Sequence, residues 1–134
     1  MSLRHLTTVL LAFALTLAGC HESLEQRAER EASDFTEKYC PTPAQNYVRT
    51  DSLTFDATTL TFHYFCTVTG PLDDSRVMQQ NQKLIHDRLQ QGLRDNTNIK
   101  VYKDAGYVFT YTMRSESDPA KVMFDASYGT KEYQ

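Results

Sequence analysis

The residues able to do chemistry in this chain are few and scattered. Four histidines, three cysteines and 17 carboxylates stand among 134 residues, and the pairings close in sequence fail on geometry. His63 and Cys66 lie three apart in an alternating run, so a strand sends them to opposite faces and excludes a thiolate–imidazole dyad. His86 and Asp87 are neighbours on a helix and do not face each other. No His-x-x-x-His or Cys-x-x-Cys spacing occurs, which leaves metal and redox chemistry without a motif. Asp51, Asp56, Asp73 and Asp74 fall in turns, but the EF-hand spacing is missing, and Asp73 and Asp74 are explained as helix-capping residues. No catalytic residue, metal or cofactor is assigned on this reading, and the chain reads as a non-enzyme.

The organised polar surface is a sheet face. In Thr59–Thr69 the period is two: Leu60, Phe62, Tyr64, Cys66 and Val68 alternate with Thr61, His63, Phe65 and Thr67. Tyr107 to Glu116 alternates likewise, with Tyr107, Phe109, Tyr111 and Met113 inward and Thr110, Thr112 and Arg114 outward. With unbroken registers, Thr61, His63, Phe65, Thr67, Thr110, Thr112 and Arg114 share one face, joined by Thr54, Asp125 and Ser127. This face reads either as a solvated surface rich in β-branched residues or as a docking face anchored on Phe65, His63 and Arg114.

The elements that position it follow from periodicity. Ser23 and Gln26 form a capping box opening a helix that ends near Cys40, before Pro41 and Pro43. Ser52–Asp56 is expected to pair with the Thr59–Thr69 strand. A second helix runs from about Asp74 to Asp95 with Met78, Ile85, Leu89 and Leu93 inward. Ile99–Lys103 is expected as a strand, joined to the next through Asp104-Ala105-Gly106 as a bulged hairpin. The last strand carries Val122, Phe124, Ala126 and Tyr128 inward. The order α-β-β-α-β-β-β predicts an α+β two-layer sandwich, with a mostly antiparallel sheet of about five strands covered on one face by two helices. Tyr64, Tyr107, Tyr111 and Tyr128 fall on the inner parity and are expected in the core.

The net charge of −3, without any Lys/Arg run, excludes the basic footprint of nucleic-acid binders. At the N-terminus, Arg4 and His5 precede a 12-residue apolar stretch, Leu6–Leu17, too short for a bilayer span of about 20 residues and suited to a secretory signal. Leu17-Ala18-Gly19-Cys20 resembles the lipobox of bacterial lipoproteins. The resemblance implies a signal peptide over 1–19, a single periplasmic domain over 20–134, and acylation of Cys20 as the membrane anchor. Loss of Arg4 with the signal moves the charge from −3 to −4, so anionic head groups add no attraction and the lipid is the main attachment. His21 stands where an Asp would imply inner-membrane retention, which favours the periplasmic face of the outer membrane. The folded part, with Tyr39-Cys40-Pro41 and the Tyr107–Tyr111 strand, also resembles small exported bacterial proteins to which no activity is assigned.

Cys40 and Cys66 remain. In an exported chain they read first as one disulfide, worth about 3–4 kcal/mol in the chain-entropy model, with free buried thiols as the alternative. The functional expectation is a lipid-anchored envelope protein acting by contact with another envelope protein. A periplasmic inhibitor or immunity-type lipoprotein that blocks a hydrolase, and an envelope-acting enzyme, are the rival readings.

Overall fold

The computed structural model describes residues 21–134; the signal segment and Cys20 lie outside the described residues. Helix α1, Leu24–Tyr39, opens with the expected capping box: Ser23 Oγ accepts from Gln26 N–H, and the Gln26 side chain accepts from Ser23 N–H. Strands β1, Val48–Asp56, and β2, Thr61–Val68, form an antiparallel hairpin. Helix α2, Ser75–Asp95, is capped by Asp74, which accepts from the Arg76 and Val77 amides. A short helix α3, Lys100–Asp104, leads to β3, Val108–Ser115, and β4, Val122–Tyr128, before a last turn α4, Thr130–Tyr133.

The sheet has four strands in the order β1-β2-β3-β4, not five. The segment expected as a strand, Ile99–Lys103, is a 3-10 turn followed by α3. Five residues are too few for alternation to separate strand from helix, and local chemistry decides. Asn96 Oδ1 accepts from Asn98 N–H, Lys100 pairs with Asp104 at 2.6 Å across one turn, and only Tyr102 is driven inward. Gly106 takes the left-handed conformation expected of it, at φ 77°, but at a helix end: its amide donates to the Lys103 carbonyl and that of Tyr107 to the Tyr102 carbonyl, a Schellman termination. Without the fifth strand, α2 and α3 carry the chain across the sheet, so β2 and β3 run parallel while the two hairpins stay antiparallel.

The inner face of the sheet is aromatic. Phe62 stacks on Phe109 at 5.6 Å, Tyr64 on Tyr111 at 4.6 Å, and Tyr102, Tyr107 and Tyr128 are fully buried beside them. Buried hydroxyls need partners, and these have them: Tyr102 donates to Glu31, Tyr107 to Glu25, and Tyr133 to the Tyr107 carbonyl. The first two bonds fasten the first half of α1 to α3 and to the residue before β3, and the third ties the C-terminal turn to that same residue. Further along α1, Thr36 Oγ1 donates to the Leu53 carbonyl and accepts from the Leu53 amide. A bulge at Asp51 reverses the parity of β1, so that Val48 and Thr50 before it and Leu53 and Phe55 after it all meet inward residues of β2.

Candidate docking surfaces

The outer sheet face assembles much as the alternation requires. His63 pairs with Thr110, Phe65 with Thr112 and Thr67 with Arg114 across the parallel β2–β3 ladder. The His63 ring stacks on Phe65 at 3.9 Å, and its Nε2 lies 2.8 Å from Thr112 Oγ1, which donates to Asp125 at 3.3 Å. Thr67 donates to Asp51, which also receives Arg49 at 2.8 Å, and Thr110 bonds Ser127 at 2.8 Å. Thr61 is turned to the Thr59 carbonyl, while Arg114 donates to the carbonyls of Pro119 and Ala120. The hydroxyls of Thr61, Thr67, Thr110 and Thr112 are therefore partnered within the protein, and Arg114 serves the neighbouring turn.

Burial pushes the His63 imidazole below its ordinary value, with Asp125 partly opposing. A folded-state pKa below the unfolded one means the unfolded chain binds the proton first as pH falls. This contribution to stability is full above about pH 6.5, the unfolded histidine value, and is lost as pH drops from there through the lower folded value. Urea unfolding between pH 7.5 and 5.5 is expected to show declining stability, with a shallower decline in His63→Gln; an equal slope in both would remove His63 from the account.

A second surface lies on the helical side of the sheet. A groove of about 430 Å³ lies between α2 and the segment entering β1, with Val48, Leu72, Val77, Ile85, Leu89 and Met113 among its walls. Its rim carries Tyr47 and Leu84, 53% and 47% exposed, large apolar side chains left in water. Tyr47 is held in a left-handed conformation, φ 65°, by two bonds to its carbonyl from the Thr69 amide and hydroxyl. Gly70, itself at φ 55°, lies under its ring, where an added Cβ would come within 3.2 Å of Tyr47 Cδ1. The strained backbone thus holds an exposed aromatic at the groove rim. Arg88 lines the groove, and among the described residues it enters no ion pair. In sequence, Tyr47 sat in a loop between periodic segments and carried no pattern of its own.

The remaining singled-out residues have structural roles. Cys66 is buried on the inner face, away from His63, and its thiol is pushed up to about 11 by burial. Cys40 and Cys66 are both free thiols in the structure, and the Cys66 sulfur lies 3.9 Å from Thr50 Oγ1. His86 Nδ1 meets the Tyr128 hydroxyl at 2.8 Å, while Asp87 pairs with Lys83. Asp56 accepts from the Thr58 amide and Asp73 from the Ser117 amide. Asp74 alone is the helix cap; Asp73, expected to share that role, ties the α2 approach to the β3–β4 turn. Among the described residues there is no cluster of three or more side chains suited to a metal ion, and no helix long and apolar enough to cross a membrane.

The two-layer fold with a four-stranded mixed sheet defines the class, and its sequence pattern places it. Residues 23–124 match the family described as Domain of unknown function (DUF8479), and the chain belongs to that family. No curated protein matches the chain. Its fold is similar to that of a Pseudomonas aeruginosa protein described as secreted, with TM-score 0.64 and 11% identity over 85% of this chain and 100% of that one. It is also similar to the type II secretion system pilotin AspS of Vibrio cholerae, TM-score 0.62 and 16% identity over 81% and 91% of the two chains. The type 2 secretion system pilotin EpsS of Vibrio vulnificus gives 0.59 and 12% over 83% and 92%.

Proposed function

We propose that this chain is a lipid-anchored, non-enzymatic envelope protein that works as a pilotin-like adaptor, holding an apolar segment of a secretion-system partner in the groove beside α2. The observation that carries the reading is the groove itself, an open apolar trench with Tyr47 and Leu84 exposed on its rim. Exposed aromatics around a pocket are the usual anchors of protein contacts. The likeness of the whole fold to two pilotins supports the same reading. Residues 1–19 act as the export signal, Cys20 carries the acyl chains, and the protein sits at the periplasmic face of the outer membrane. The outer sheet face around His63 and Phe65 is a secondary contact surface.

The test is photocrosslinking in the native cell from a reactive residue at Leu84, with a matched residue at exposed Glu37 on α1 as control. A secretion-system component crosslinked from position 84 and not from 37, and mislocalised when Cys20 is changed to Ser, is the expected result. Crosslinks equally frequent from both positions, or a partner whose location ignores the Cys20→Ser change, would overturn the reading.

In the same oxidising compartment we expect Cys40 and Cys66 to be bridged. Thr42 and Thr50 join their flanking segments through two hydrogen bonds, and Thr50 lies opposite Cys66 across the β1–β2 ladder. Alkylation of the unreduced, unfolded periplasmic protein should modify neither residue, and dithiothreitol should expose both. Two modified thiols without reductant would mean that the bridge does not form.

A further inference from the structure

We propose that the free edge of β4 is a strand-addition site for an acidic, extended segment of a partner protein. The two edges of this sheet are treated differently. On β1, Thr36 occupies both backbone groups of Leu53, at 2.8 and 2.9 Å. Thr42 takes both groups of Thr50: its hydroxyl accepts from the amide at 3.0 Å and its amide donates to the carbonyl at 2.9 Å. Gln45 closes a bridge to Val48, and the bulge at Asp51 bends what remains. These devices keep a sheet edge from pairing with other chains.

Of these devices β4 has only a bulge, at Met123 near its start, and from Phe124 to Tyr128 its register is regular and no side chain clamps its backbone. Val122–Tyr128 is the other terminal strand of the sheet, contains no proline, and carries Asp125 as its one charge. Among the described residues, no hydrogen bond is made to its outer edge. Beside it, hollows of about 680 and 260 Å³ share Gln79 and Gln82 and so form one trough between the strand and the flank of α2, from Lys121 to Ser127. Among apolar side chains its polar lining includes two cations, Lys83 and Lys121, and the amides of Gln79 and Gln82, which can donate. Lys83 meets Asp87 and Lys121 meets Ser75, but both ammonium groups stay exposed with donors to spare. The one carboxylate in the lining, Asp125, accepts from Thr112 on the outer sheet face.

An added strand projects alternate residues to the two sides of the sheet. On the side of α2 it meets lysines and amides, which select Asp or Glu; on the other side it meets Asp125, which selects Lys or Arg. The preferred segment therefore alternates acidic residues on one face with a basic residue on the opposite face. This site is separate from the apolar groove and does not rest on the adaptor reading.

The test uses the full periplasmic domain and a capped peptide with Glu at alternate positions and one central Lys on the other face. Amide hydrogen exchange read by NMR should slow in Val122–Tyr128 and remain unchanged in β1. The double change Lys83→Glu and Lys121→Glu should weaken binding by at least about tenfold, because like charges then face across the trough. A peptide with the two faces exchanged should not bind. Circular dichroism checks the fold of the double variant; Lys83→Glu alone, at a side chain 89% exposed, serves if the double variant is perturbed. Protection at β1 or the groove instead of β4, unchanged affinity in the charge variants, or peptide-free protein that sediments as a dimer with β4 already protected would each overturn the proposal.

Discussion

Replacing Phe109 by Ala is expected to be among the most damaging single changes in this domain, costing roughly 3–5 kcal/mol of unfolding free energy. Phe109 is 0% exposed, stacked on Phe62 at 8° between planes and met edge-on by Tyr133 at 5.8 Å. Its ring joins the sheet to the C-terminal turn, whose hydroxyl bond to the Tyr107 carbonyl depends on that packing. The void cannot refill by a small shift, because the neighbours are themselves ring-packed: Phe62 against Tyr102 and Phe55, Tyr107 against Phe55 and Tyr102. Urea denaturation at neutral pH gives the measurement. A loss under about 1 kcal/mol, the scale of a volume-conserving swap, would mean that the core rearranges and that the aromatic ladder is not the keystone argued for it.

Thr36→Val keeps the side-chain shape and removes one oxygen, yet it strips both hydrogen bonds from Leu53. Leaving a partly buried amide and carbonyl unpaired costs about 1–3 kcal/mol per group when water cannot reach them, and less as water enters. A loss of about 2 kcal/mol in urea denaturation is therefore expected. The second consequence is less common: an opened stretch of β1 becomes available for pairing, so sedimentation should reveal concentration-dependent self-association absent from the wild type. Ser at this position, which retains the oxygen, should restore the monomer. If Thr36→Val is as stable and as monomeric as the parent, the threonine clamp has no protective role.

The parts of this fold legible in sequence are those in which a period persists over two or more turns or across a whole strand. The capping box at Ser23, the extent of α2, and the inward parity of Tyr64, Tyr107, Tyr111 and Tyr128 all follow from residue order alone. Ile99–Lys103 misled because its five residues fit either period, and the helix was chosen by capping at Asn96 and by the Tyr102–Glu31 bond to a segment 71 residues away. A helix in place of a strand also leaves β2 and β3 to pair in parallel. The outer-face residues from Thr61 to Thr112 were legible for the same reason as the core: parity fixes both sides of a strand at once. The groove was not legible. It is made by Val48, Leu72, Leu84 and Met113 from four separate segments, and by two left-handed residues, Asn46, which tolerates that backbone, and Tyr47, which propensity does not favour there.

Helix α1 has a further consequence. Its N-terminal half is tied to Tyr107, at the start of β3, through Glu25 and to Tyr102 of α3 through Glu31, while Tyr47 and the groove mouth stand beside Val68 and Gly70, where β2 ends. The helix alone spans about 24 Å, so the domain has two poles. With Cys20 acylated as proposed, only three residues, His21–Ser23, intervene before the helix begins, and they leave almost no slack. Such a mounting works as a fixed bracket rather than a tether: it sets the height at which a partner is met above the lipid surface. Lengthening the junction would then alter the geometry of capture without touching any residue that makes contact.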